Sequence, residues 1–222
     1  RSAGCPAEDV ARAIEGLAAS ATPMLSQSQA APRDVAEFVH ALAQALDLNV
    51  VAGEAPLHAR PSVEEAMCVA AEQARRFMHR SSARDAAMIA GGVAAAEIRM
   101  ARSCQGVLRA CLVDVVGLVR FRDSEFNSRD LALVAAALAK VGASVDAGAA
   151  AGVADILYAR LADPNRATEF SVPDLCFVLW ASASVEGWVD APFTAAAIRA
   201  VQSRASGNWS AQDISTVVQS LS

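Results

Sequence analysis

Two cysteines seven residues apart are the first residues of this sequence whose type and spacing could do chemistry. Cys104 and Cys111 would share one face of a helix, a geometry that suits two ligands of a metal ion. No third or fourth ligand lies near them in sequence. We therefore interpret both as small buried apolar residues and predict neither a metal nor a cofactor.

No residue set for catalysis stands out either. His40, His58 and His79 are isolated from the cysteines and carboxylates that nucleophilic catalysis requires. The sequence lacks the glycine-rich phosphate and dinucleotide loops, and Gly91-Gly92 falls inside a helical pattern where it favours close helix packing. We predict that the protein is not an enzyme.

Arginine is concentrated in the middle of the chain. Nine arginines and three acidic residues lie between positions 75 and 122, although the formal net charge of the chain is −5. This excess predicts a positive surface for RNA phosphates or an acidic protein. The alternative is that the cations only favour the dipole at a helix carboxyl terminus. The candidate RNA-binding residues are Arg75, Arg76, Arg80, Arg84, Arg99, Arg102, Arg109, Arg120 and Arg122.

Tryptophans are the other candidate contacts, because bases stack on exposed indole rings. Trp180 lies on an apolar stripe, so we predict that it belongs to the core. Trp188 and Trp209 lie where structural units begin or end and are the better candidates for exposure.

Composition predicts an all-α protein. The chain has 222 residues, of which 54% are hydrophobic and only 5% aromatic, and alanine dominates the apolar fraction. Small side chains of this kind are typical of closely packed helices. The most apolar stretch, Leu131–Tyr158, is broken by Lys140, Asp146 and Asp155, so we predict no membrane insertion.

The number and spacing of the cysteines indicate whether the protein works in a reducing or an oxidising compartment. The five cysteines are odd in number, scattered and without CxxC pairs, which favours buried free thiols in a reducing environment. The first residue is Arg rather than Met, which indicates a processed chain or a portion of a longer one.

A short sequence motif built around an aspartate recurs along the chain. Ser, Asn or Pro precedes the aspartate and an apolar helical stripe follows it, which is the start signal of a helix. The spacing converges near about forty residues, the range of helical-hairpin repeats. We therefore interpret these aspartates as capping residues rather than catalytic ones; they are Asp9, Asp34, Asp85, Asp130, Asp174 and Asp213.

Second helices are predicted between the capped ones. The pattern pairs Asp34–Leu46 with Val63–His79 and Asp85–Arg99 with Ser103–Val119, and it starts further second helices at Asp146 and Asp190. A long loop, "NVVAGEAPLHARPS", is predicted from Asn49 to Ser62, and a linker, "SATPMLSQSQAAP", is predicted from Ser20.

Two copies of the motif are specific enough to suggest a family. "FSVPDLCFVLWASA" from Phe170, and to a lesser degree "FNSRDLALVAAALAKVG" from Phe126, resemble the octotricopeptide and heptatricopeptide repeat families. The matching residues of the better copy are Phe170, Ser171, Asp174, Leu175, Leu179, Trp180 and Ala181. The resemblance, which is clear from about Ser82 to Ser222, implies an α-solenoid of about five helix pairs. We assign residues 61–222 to this helical-repeat solenoid and residues 1–60 to irregular amino-terminal helices and a linker.

The same resemblance implies a function. These families are organellar RNA-binding proteins, so we expect a non-catalytic subunit of a mitochondrial or plastid ribonucleoprotein, foremost a mitochondrial ribosome, that contacts rRNA and neighbouring proteins. The alternative is a protein scaffold or accessory subunit of another organellar complex that does not contact RNA. The uneven repeat spacing argues against a base-per-repeat code, and the pI of 5.2 confines phosphate binding to the arginine-rich middle.

Overall fold

A computed structural model of the chain describes residues 7–27, 30–52, 60–142, 147–185, 188, 191–204 and 209–221. The regular secondary structure in these ranges is entirely helical, which confirms the all-α prediction. None of the helices described is both long and apolar enough to cross a membrane. The chain divides into two compact units, residues 1–112 and 113–222.

The first unit contains α1 to α4 and the first half of α5. These helices are α1 (Ala7–Ser26), α2 (Pro32–Ala52), α3 (Pro61–Phe77), α4 (Ala83–Glu97) and α5 (Arg102–Phe121), with a 3₁₀ turn at Met78–Arg80. α2 packs chiefly against α4, and α1 packs chiefly against α3. A disulfide between Cys68 and Cys104 joins α3 to α5.

The second unit begins within α5 and continues through a 3₁₀ turn at Asp123–Glu125. Its helices are α6 (Ser128–Val141), α7 (Ala147–Ala162), α8 (Pro164–Ala167), α9 (Val172–Ser184), α10 (Ala191–Ser203) and α11 (Ala211–Leu221). α6 packs against α9, and α9 packs against α11. α10 contacts both α7 and α9.

The aspartate motif caps five of these helices, as predicted. In α4 and α9 a serine and the aspartate three residues later exchange the two hydrogen bonds of a capping box. Ser210 and Asp213 make the same pair of bonds at α11, the Ala31 N–H donates to Asp34 at α2, and Asn127 accepts from the Asp130 N–H at α6. We call α2, α4, α6, α9 and α11 the Asp-capped helices, and α1, α3, α5, α7 and α10 the partner helices.

The amino-terminal region is more regular than the sequence predicts. The predicted linker from Ser20 is wrong in its first half, because α1 continues through Pro23 to Ser26. Ala11, Ala18 and Leu25 recur every seven residues and are all buried, so packing carries the helix through this stretch. Asp9 lies in the first turn of α1, and its capping role stays a prediction because the residues before Ala7 lie outside the described ones.

The end of α2 also differs from prediction. We predicted that this helix stops at Leu46, whereas α2 reaches Ala52, so the predicted loop from Asn49 is wrong at its start. Asp47 forms an ion pair with Arg99 at 2.5 Å, which ties the last turns of α2 to the residues after α4. Residues 53–59 of that loop and the predicted helix starts Asp146 and Asp190 lie outside the described residues. The end of the loop, predicted at Ser62, is also wrong, because α3 begins at Pro61.

Candidate nucleic-acid interface

Four of the nine candidate arginines meet where α3 ends and α4 begins. Arg75 and Arg76 occupy the last turn of α3, Arg80 lies in the 3₁₀ turn, and Arg84 lies in the first turn of α4. All four are exposed, as is His79 between them. We call these five residues the α3–α4 corner.

The backbone of this corner is well determined by hydrogen bonds. The Ser81 N–H donates to the Met78 carbonyl and closes the 3₁₀ turn, and Ser82 then caps α4 through its bonds with Asp85. The guanidinium carbon of Arg80 lies 5.8 Å from the centroid of the Phe77 ring, within the range of a cation–π contact. The arginines are thus held on a fixed turn, which lowers the entropy cost of binding an anion.

A depression beside the corner adds an arginine that sequence reasoning missed. Its volume is about 300 Å³, and its lining comprises Arg33, Glu37, Ser82, Arg84, Asp85 and Met88. Arg33 lies forty-two residues before Arg75, so no run of charges pointed to it. The signal was its place directly before a capping aspartate, which Arg84 shares in the next Asp-capped helix.

The depression itself is close to neutral. Arg33 donates to Glu37 at 2.8 Å, and this hydrogen bond raises the pKa of Arg33, with Asp85 contributing through its charge. Asp85 is engaged in capping α4. Two carboxylates, Glu37 and Asp85, therefore accompany the two arginines, Arg33 and Arg84, that line this depression.

Arg99 and Arg109 serve helix packing. Arg99 pairs with Asp47 and donates to the Ala95 carbonyl at 2.9 Å. Arg109 pairs at 2.6 Å with Glu97, a carboxylate whose side chain is only 6% exposed. A buried carboxylate needs such a partner, so Arg109 is committed to Glu97, while Arg99 is held by Asp47 and the Ala95 carbonyl. Arg102, at the start of α5, is exposed.

Arg120 and Arg122 belong to the second unit. Arg120 is exposed, and its Nε lies 2.7 Å from where a Cβ would stand on Gly152, so its side chain lies flat against α7. Arg122 forms an ion pair with Glu125, whose hydrogen bond raises the pKa of the guanidinium. Arg75, Arg76, Arg80 and Arg84 therefore lie together in the first unit, and Arg120 and Arg122 belong to the second.

The tryptophan prediction fails at Trp188. This ring is 2% exposed and packs edge-to-face on Phe193 with centroids 6.2 Å apart, so it cannot stack on a base. Trp209 is half-buried and donates its indole N–H to the Arg204 carbonyl at 2.9 Å. Trp180, predicted to be core, is half-buried.

The cysteine interpretation is partly wrong. Cys104 is buried as expected, but it is bonded to Cys68 rather than free, because the fold brings together residues that are 36 positions apart. Cys111 and Cys176 are buried and do not form a disulfide. Burial, with a smaller contribution from the charge of Asp213, raises the pKa of Cys176 to about 11, so this thiol is protonated and unreactive at neutral pH.

The described residues contain no group of three or more histidine, cysteine or acidic side chains that could hold a metal. His40 shares a hydrogen bond with Gln44, while Cys5 and His58 lie outside the described residues. Comparison with family models, curated proteins and solved structures found no match.

Proposed function

We propose that this protein is a non-catalytic helical-repeat subunit of an organellar ribonucleoprotein, with a mitochondrial ribosome as the first particle to test. In this proposal the α3–α4 corner contacts RNA phosphates and other surfaces contact neighbouring proteins. The observation that carries it is the corner itself, where four exposed arginines and a histidine lie between the last turn of α3 and the first turn of α4 in a chain of net charge −5.

The repeat resemblance is supported by how Asp-capped helices meet. The first turns of α2 and α4 line one depression, and the Cys176 thiol of α9 donates to the Asp213 carbonyl of α11 at 3.6 Å. In both pairs the amino termini lie side by side, so the helices run in parallel. Parallel helices with partner helices beside them favour an α-solenoid within each unit, the architecture that the resemblance implies.

The proposed contact reads the RNA backbone rather than its bases. Arginine guanidinium groups form paired hydrogen bonds with phosphate oxygens, and these bonds carry no sequence information. Among the described residues, no exposed tryptophan ring on which a base could stack accompanies the four corner arginines. The expected binding is therefore salt-sensitive and tolerant of RNA sequence.

The first test reverses the charge of the corner. The variant Arg75→Glu, Arg76→Glu, Arg80→Glu is compared with Arg12→Glu, Arg129→Glu, Arg199→Glu, which changes three exposed arginines elsewhere and shifts the net charge equally. Each protein is followed by gradient sedimentation of organelle lysate with and without ribonuclease. We expect the corner variant to leave the particle and the control to remain in it.

Two results would overturn this proposal. Retention of the corner variant in the particle would exclude the corner as the contact. Equal loss of both variants would show a response to net charge alone, which a local site does not explain.

A protein scaffold is the second candidate function. It is favoured by large apolar side chains that the described helices leave uncovered, among them Leu17 and Met24 of α1, at 69% and 70% exposure. Uncovered apolar groups at this density mark surfaces for protein partners. A scaffold predicts a particle that resists ribonuclease but dissociates in salt or mild detergent.

A further inference from the structure

The disulfide between Cys68 and Cys104 lies within the first unit and joins α3 to α5. The scattered cysteines of this sequence favour a reducing environment. In such an environment a disulfide is usually catalytic or redox-sensing rather than permanent. The pair therefore has a physical reason to open and close, and its surroundings show how it could do so.

The two bonded cysteines are not equally accessible. Cys68 lies near the middle of α3 and is half-buried, whereas Cys104 is fully buried. Disulfide exchange begins when a thiolate attacks one of the two sulfur atoms, so its rate depends on access to that atom. A reductant that comes from solution therefore reaches Cys68 more readily than Cys104.

Cys104 is placed to leave as a thiolate. It is the third residue of α5, and the dipole at the amino terminus of a helix favours a negative charge there. Glu64 of α3 brings a carboxylate to the same turn, and the Ser103 hydroxyl donates a hydrogen bond to it at 2.5 Å. That hydrogen bond satisfies the carboxylate, which reduces its opposition to a second negative charge.

Other contacts hold the two cysteines in place when the bond is open. α3 packs against α1 and α2, and the hydrogen bond from Ser103 to Glu64 joins α5 to α3 independently of the disulfide. The Cα atoms of Cys68 and Cys104 are 5.7 Å apart, which is a usual separation for a disulfide. Two thiols held at this separation can form the bond again, as a reversible couple requires.

The disulfide closes a loop that contains the α3–α4 corner. Its two cysteines are 36 residues apart, and the chain between them comprises the end of α3, the corner and all of α4. A cross-link of this kind restricts the conformations that the enclosed segment can adopt when it opens. The bond therefore opposes opening of the corner without involving any of its arginines.

We infer that Cys68 and Cys104 form a reversible thiol–disulfide switch that determines how readily the segment with the α3–α4 corner opens. The reductant is a dithiol. Its thiolate attacks Sγ of Cys68, the bond to Cys104 breaks, and the Cys104 thiolate takes up a proton. The second thiol of the reductant then displaces Cys68 from the mixed disulfide, so one disulfide and one dithiol become two thiols and a new disulfide. Oxidation is the reverse reaction with the disulfide form of the reductant.

The first experiment measures the redox state of the pair in the folded protein. Purified protein is equilibrated without denaturant in mixtures of reduced and oxidised dithiothreitol, quenched with acid, unfolded and alkylated. Mass spectrometry of the peptides should show Cys68 and Cys104 becoming alkylated together as the reduced fraction rises. Alkylation of both after the fully oxidised mixture, or of neither after the fully reduced one, would overturn the proposal.

The second experiment measures what the bond does to the enclosed segment. Reduction should speed hydrogen exchange of the amides from the end of α3 through α4 by about tenfold or more, and exchange in α9 should not change. Equal exchange of this segment in the oxidised and reduced wild type would overturn the proposal.

Two substitutions identify the pair as the cause. Cys68→Ala changes a half-buried residue and removes the disulfide, so exchange in the segment should be fast with or without reductant. Cys176→Ala keeps the disulfide and should respond to reductant as the wild type does. A response to reductant that survives Cys68→Ala would assign the effect to another group and overturn the proposal. None of these results depends on RNA binding.

Discussion

α9 and α11 begin with the same local sequence device and end in different surroundings. Both follow an aromatic residue, Phe170 or Trp209, and both start with a serine and an aspartate three residues later that exchange hydrogen bonds. The apolar side of α9 is buried, whereas Ile214 and Val218 on the corresponding side of α11 are more than half exposed.

This difference separates two physical contributions. Capping satisfies backbone N–H groups that the first turn leaves without partners, and it therefore sets where a helix begins. Burial of the apolar side supplies most of the free energy that holds a helix in place. α9 has both contributions and α11 has chiefly the first, so equal substitutions in the two helices should have unequal effects.

The largest expected contrast is between Leu175→Ala and Ile214→Ala. Leu175 is fully buried, so its truncation should lower the free energy of unfolding by about 2–5 kcal/mol. Ile214 is 53% exposed, and its truncation should cost less than about 1 kcal/mol. Urea unfolding at a concentration where the protein is monomeric measures both, and equal losses would contradict the difference in burial.

The next contrast tests the covered contact between α2 and α4. Gly92→Ala would place its Cβ 2.8 Å from Val39 Cγ1 and 2.9 Å from the Val39 carbonyl oxygen, so it should destabilise the protein by about 1–3 kcal/mol. Gly91→Ala is the matched control, because nothing lies within 4 Å of its added Cβ, and it should stabilise the helix by about 0.5–1 kcal/mol. Thermal unfolding of both variants gives the sign, and stabilisation by both would show that the two helices do not approach this closely.

The smallest effect concerns the cap of α11. The Ser210 hydroxyl and then its N–H donate to Asp213, and these bonds lower the pKa of that carboxyl. A carboxyl with a lowered pKa in the folded state adds stability above its unfolded pKa of about 3.9, and that stability is lost as pH falls through the folded pKa. Carboxyl titration by NMR should therefore give a midpoint below the unfolded value, and Ser210→Ala should raise it.

A matched substitution tests whether the hydroxyl acts directly. Ser215→Ala removes a hydroxyl from the same helix that makes no hydrogen bond to Asp213, and the midpoint should not move. A wild-type midpoint at or above the unfolded value would show that the cap at α11 does not form.

Sequence reasoning succeeded where one turn of chain holds all the information. Serine, asparagine and aspartate next to a first turn predict caps, and the bonds at Asp85, Asp130, Asp174 and Asp213 confirm them. Alanine content and apolar spacing likewise predict helices, because both properties are local. The arginine run led to the α3–α4 corner for the same reason, since α3, the turn and α4 are consecutive in the chain.

Reasoning from sequence failed where the partner comes from elsewhere in the chain. Pro23 suggested a break in α1, but packing against α3 carries the helix past it. Cys104 is bonded to Cys68, and Arg99 forms an ion pair with Asp47. No rule of sequence spacing predicts either pair. Trp188 is enclosed with Phe193, so its place between two helices gave no guide to its exposure.

What the amino-acid sequence determined by itself is the all-helical architecture and the starting points of the Asp-capped helices, because capping and helix propensity act within a turn or two of chain. Only the tertiary structure decided which of these helices are covered, since burial depends on neighbours distant in sequence. Ile214 and Val218 continue the pattern of Leu175 and Leu179 and are still more than half exposed.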